Sequence, residues 1–72
     1  MNEHYKQGDI ECIDALKSCL TPEELQGAYK FNVIKYLWRW RHKGGLRDLE
    51  KALDYQQRLV ELTRSLEEAE KP

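Results

Sequence analysis

Residues 21–45 read TPEELQGAYKFNVIKYLWRWRHKGG, and the two ends of this stretch decide the fold. Thr21 suits a helix N-cap, Pro22 the first helical position and Glu24 the N3 position of a capping box. Gly44-Gly45 stops the helix, because glycine tolerates the left-handed conformation of a helix C-terminus. The stretch therefore predicts a helix over residues 22–43.

Reading outward, residues 46–69 contain no glycine or proline and predict a third, long helix. On the N-terminal side, Asp9 is a candidate N-cap, and Ile10, Ile13, Leu16 and Leu20 form an apolar stripe. A first helix is expected over 9–20, preceded by an arm at 1–8 that turns at Gly8. The expected fold is all-α, a three-helix unit with a long C-terminal helix and no sheet.

A chain of 72 residues makes one domain. Such a chain buries only about 60% of its unfolded surface, so it needs a staple or a partner. Helix three alone would be about 36 Å long, against a radius of gyration of about 11 Å for a globule of this size. Its later residues Leu59, Val60, Leu62 and Leu66 stay apolar. A helix that overhangs its own domain with apolar residues asks for a second copy. A homo-oligomer built through helix three, with helix two contributing, is expected; a three-helix monomer is the alternative.

Covalent and metal staples are not expected. Cys12 and Cys19 would lie about 10 Å apart on one helix, beyond the reach of a disulfide. They read as reduced cytosolic thiols. There is no CxxC and no Cys/His cluster, so zinc is not expected, nor are haem or flavin. No apolar run reaches the length of a membrane span, and MNEHYKQGDIE is too polar for a signal peptide. A soluble, cytoplasmic protein with no membrane partner is the expectation.

Net charge is −1, unevenly placed. Residues 1–34 carry three Lys against six acids, residues 35–47 five Lys/Arg and no acid, and residues 48–72 four basic against seven acidic residues. The basic block sits inside helix two. On a helical projection Asn32, Lys35, Tyr36, Arg39 and Lys43 share about 100° of arc. Tyr29, Val33, Leu37 and Trp40 occupy a second arc, and Phe31, Ile34 and Trp38 a third. Helix two is thus expected to be central, with neighbours on two sides. A basic stripe on a helix is ordinarily a solvated face. Here acids recur at matching spacings: Glu11 and Asp14 on helix one, and Asp48 beside Lys51 and Tyr55 on helix three. Carboxylates of this kind hold Mg²⁺ together with ligand phosphates, and Lys and Arg bind phosphate oxygens. The same residues also suit structural ion pairs.

His4-Tyr5, IECID at 10–14, NVIKYLWR at 32–39, Lys43-Gly44, DLEKA at 48–52 and Tyr55 together resemble the SaV-like family of small bacteriophage proteins. The likeness spans residues 4–55, and NVIKYLWR combined with IECID is its most specific part. The resemblance implies a phage protein in the cytoplasm of an infected bacterial host. It also implies homo-oligomerisation, nucleotide handling and nucleoside monophosphate kinase activity. Carried over by position, it marks His4, Tyr5, Asn32, Lys35, Tyr36, Arg39, Lys43 and Tyr55 as ligand-binding candidates. Glu11, Asp14 and Asp48 are the candidate Mg²⁺ ligands. There is no GxxxxGK[ST] loop, since HKGGLR is not one, and one short subunit hardly encloses two nucleotides. A kinase site would have to be shared between subunits.

Two other functions compete. A non-catalytic interaction or anti-defence protein would sequester a nucleotide signal or bind a host protein through helix three. A nucleic-acid-binding module would use Lys35, Arg39, Arg41, Lys43 and Arg47. The acidic segments on both sides of a single basic block count against the latter. Binding of a nucleotide or another phosphorylated small molecule is the favoured expectation.

Overall fold

The computed structural model describes residues 14–70; the expected arm at 1–8 and residues 9–13 of the expected first helix, Cys12 included, lie outside the described residues. Three helices follow in order: α1 (residues 14–19), α2 (Pro22–Arg39) and α3 (Leu46–Glu70). All regular structure among the described residues is helical.

The start of α2 is as its sequence predicts. Thr21 is extended, with φ −67° and ψ 162°. Its hydroxyl accepts the Glu24 backbone N–H at 3.2 Å, and the Glu24 carboxylate accepts the Thr21 N–H at 2.9 Å. Two N–H groups that have no partner within the helix are thereby satisfied.

The end of α2 differs from the expected one. The helix stops at Arg39 rather than Lys43, and residues 40–45 form a turn. The Arg39 carbonyl is shared by the N–H groups of His42 at 3.1 Å and Lys43 at 3.0 Å, and Gly45 N–H donates to the Trp40 carbonyl at 2.7 Å. A carbonyl oxygen has two lone pairs and can accept both donors. Gly45 completes the reversal at φ +56°, in the left-handed region that glycine enters without a Cβ penalty. Its carbonyl then receives the Asp48 and Leu49 N–H groups at 3.1 and 3.2 Å, which starts α3.

Helices α2 and α3 pack as an antiparallel hairpin. Near its open end Gln26 Nε2 donates to Thr63 Oγ1 at 2.9 Å across the helices. Near the turn Arg39 pairs with Asp48. Between these pins lie the buried Tyr29 and Ala52, and the buried Leu25 sits beside the Gln26 pin. With Gln26 opposite Thr63, Pro22 falls opposite roughly residue 67, so α3 runs only about one turn past the start of α2. The expected overhang is therefore short, and Leu59, Leu62 and Leu66 are half-buried.

The molecule measures 45 × 27 × 15 Å. Its smallest dimension is little more than one helix diameter of about 10–12 Å, so the hairpin is a single layer. Helix α2 has α3 on one side, not neighbours on two: Phe31, Ile34 and Trp38 of its third arc are exposed, Trp38 at 85%, and so is Leu37 of the second arc, expected to pack. On α3, Leu46, Leu53 and Val60 are exposed at intervals of seven residues. No helix among the described residues is long and apolar enough to cross a membrane.

Candidate anion-binding site

Positions 36 and 39 of α2 lie three residues apart and face positions 48, 51 and 55 of α3. The hairpin register brings these five side chains, with Lys35, to one place. Tyr36 and Tyr55 stack, with ring centroids 6.0 Å apart and planes within 10°. Tyr29 extends the row, 6.3 Å from Tyr55 at an angle of 44°. Three cations gather on Tyr36: Lys35 Nζ at 4.7 Å, Arg39 Cζ at 4.9 Å and Lys51 Nζ at 5.3 Å from its centroid. Lys35 also lies 5.9 Å from the Phe31 ring. The negative face of an aromatic ring attracts cations, so Tyr36 holds together charges that would otherwise repel.

The three cations do not have equal freedom. Arg39 donates from Nε to Asp48 Oδ2 at 3.0 Å, and its Nη2 lies 3.5 Å from Oδ1. Asp48 is 1% exposed. The hydrogen bond from Arg39 holds the Asp48 carboxyl below the usual carboxylate range; burial opposes this, while the charge of Arg39, the Gly44 N–H and the charge of Lys51 add to it. The same hydrogen bond raises the Arg39 guanidinium above its ordinary value. Gly44 is required there, because a Cβ at that position would fall on the Asp48 carboxylate. Lys35 and Lys51, by contrast, form no ion pair among the described residues. The cluster thus carries three positive charges against one negative charge. Two ammonium groups close to one tyrosine ring can receive an anion.

Four of the expected ligand-binding residues, Lys35, Tyr36, Arg39 and Tyr55, come together. Asn32 is half-buried and turns its amide to the Ala28 carbonyl at 2.9 Å. Lys43 is exposed in the turn and shows no side-chain contact with the cluster. His4, Tyr5 and Glu11 lie outside the described residues. Asp14 is exposed on α1, where its backbone carbonyl accepts the Ser18 hydroxyl at 3.0 Å. Asp48 is engaged by Arg39 and Gly44, and among the described residues no three His, Cys, Asp or Glu side chains converge as metal ligands. Cys19 is a free, exposed thiol.

The expected ligand set omits Lys51. Its signal is its spacing, three residues after Asp48 and four before Tyr55, which puts all three on one face of α3. Tyr29, which the helical projection groups with packing residues, is both buried and part of the tyrosine row.

Residues 1–57 match the family DUF3310, described as a protein of unknown function. The matched segment includes every residue of the cluster and ends just before Arg58. No curated protein and no solved structure matches the chain.

Proposed function

The chain belongs to the DUF3310 family, and from that premise and its site we propose that it binds a nucleotide or a closely related phosphorylated small molecule. The phosphate would sit at Lys35 and Lys51. One observation carries the reading: these two ammonium groups lie 4.7 and 5.3 Å from the Tyr36 ring centroid, and no carboxylate neutralises them by an ion pair among the described residues. Arg39 has a different part. Its bond to Asp48 holds the two helices in the register that places the lysines.

Nucleoside monophosphate kinase activity belongs to this proposal through the SaV-like resemblance alone, with the phage origin and host cytoplasm that the resemblance implies. Asp48, the expected Mg²⁺ ligand on α3, is committed to Arg39. Sequestration of a nucleotide signal needs binding only and is the reading closest to the geometry. His4 and Tyr5 remain proposed contributors from the N-terminal segment.

We place the site in a homo-oligomer. Domains are built from two packed layers, whereas this hairpin is 15 Å thick. Its exposed Leu46, Leu53 and Val60 suit a second copy, because a seven-residue apolar repeat packs helix on helix.

The test is a thermal-shift and calorimetric screen against nucleoside mono-, di- and triphosphates and inorganic phosphate, with and without Mg²⁺. A ligand of the folded state raises stability by RT ln(1 + [L]/Kd). Lys35→Ala with Lys51→Ala should weaken binding by at least about tenfold at unchanged helicity. Unaltered affinity in the double variant would remove the site.

A further inference from the structure

At the Tyr29 end of the tyrosine row lies a cleft of about 320 Å³ lined by Lys17, Leu25, Tyr29, Arg58, Glu61, Leu62 and Ser65. Its apolar lining is Leu25 and Tyr29, both buried, with the half-buried Leu62. Its rim is polar. Lys17, Glu61 and Ser65 are exposed, and Arg58 is half-buried. An apolar lining with a few polar groups around it is the usual make-up of a small-molecule site, and about 300 Å³ is the lower end of the usual size.

The charge of this cleft differs from that of the lysine cluster. Arg58 is paired with Asp54 at 3.3 Å, and the lining also holds one further cation, Lys17, and one acid, Glu61. The cleft is close to neutral, whereas the cluster has a surplus of two positive charges. The tyrosine row connects them: Tyr36 stacks on Tyr55, and Tyr55 meets Tyr29 at the cleft. Tyr29 and Tyr36 are seven residues apart on α2, which is about 10 Å along the axis.

We infer that the cleft lined by Tyr29, Leu62, Arg58, Glu61 and Ser65 is the nucleoside subsite of the lysine cluster, so that a nucleotide lies along the tyrosine row with its phosphate on Lys35 and Lys51. The inference rests on the phosphate reading above and adds the position of the uncharged half of the ligand. The partition of charge matches a nucleotide, which is anionic at one end and flat, uncharged and partly apolar at the other. The rise between Tyr36 and Tyr29 is within the span of an extended nucleotide from its phosphate to the far edge of its base. The base does not rest on Tyr36, whose ring is already surrounded by Tyr55 and three cations. At the rim, Glu61 accepts hydrogen bonds from the N–H groups of a base and repels a second phosphate, and Ser65 donates to or accepts from a sugar hydroxyl.

The experiment measures calorimetric affinities for inorganic phosphate, ribose 5-phosphate and the nucleoside 5′-monophosphates of the common bases. At least one nucleotide should bind about tenfold or more tightly than ribose 5-phosphate. Ser65→Trp, which fills the cleft from an exposed helical position, should remove that advantage and leave inorganic phosphate binding unchanged. Glu61→Lys is the second variant, should the first disturb folding, and should reduce the nucleotide advantage in the same way. Equal affinity for ribose 5-phosphate and every nucleotide would overturn the subsite while leaving the phosphate reading intact. So would a nucleotide advantage that survives both variants. Failure of every phosphate compound to bind would remove both.

Discussion

Arg39, the last residue of α2, and Asp48, in the first turn of α3, form a hydrogen-bonded ion pair with Nε 3.0 Å from Oδ2. Asp48 is almost wholly buried in making it. The two are nine positions apart in sequence, and the turn between them is shaped by the pair. Gly44 leaves room for the carboxylate and donates its N–H to it, and Gly45 reverses the chain. Removing one partner of a buried pair leaves the other charge without compensation, which costs more than the pair itself contributes.

The pair carries a pH signature. The Asp48 pKa is depressed in the folded protein, so its contribution to stability is fully present above the unfolded carboxyl value near 3.9. It is lost as pH falls through the lower folded value. Asp48→Asn should melt below the native protein at neutral pH, and the gap should narrow in acid. Melting curves from pH 7 to pH 2 check this; a gap that stays constant would mean that the charge of Asp48 contributes nothing.

The two turn glycines should fail in different ways. Gly45→Ala forces a Cβ into the left-handed region, at a cost of about 1–2 kcal/mol. Gly44→Ala instead displaces Asp48, so its effect depends on that residue. In a double-mutant cycle, Gly44→Ala should cost much less on an Asp48→Ala background, whereas Gly45→Ala should cost the same on both. Equal costs for Gly44→Ala on the two backgrounds would refute the coupling.

Thr21 caps α2 reciprocally with Glu24. Thr21→Ala should destabilise the hairpin by about 1 kcal/mol in denaturant unfolding, without effect on phosphate binding, because the cap lies at the opposite end of α2 from Arg39. Thr21→Ser, which keeps the hydroxyl, should restore most of the loss.

The exposed repeat Leu46, Leu53 and Val60 should lie at the contact between copies. Leu53→Glu should shift the mass measured by sedimentation towards a single chain while the far-ultraviolet dichroism per residue stays helical. A native protein that sediments as a 72-residue monomer at all concentrations would reject the oligomer.

The sequence by itself determined the helices. The TPEE cap, the absence of breakers from 46 to 69 and the Gly-Gly stop act through neighbouring residues, so their outcome is local. Even the early end of α2 keeps Gly45 as the reversal point. That Lys35, Tyr36 and Arg39 share one face was also legible, because helical periodicity alone assigns faces; that this face meets α3 while Leu37, expected to pack, stays exposed was not. Tertiary structure decided what those faces meet. The pairing of Arg39 with Asp48 rather than with a ligand, the gathering of Lys51 over Tyr36, and the cleft shared by Lys17, Tyr29 and Ser65 all depend on the register of α3 against α2. That register follows from a six-residue turn and the burial of one carboxylate. No periodicity along a single helix encodes it, because it is a relation between two helices.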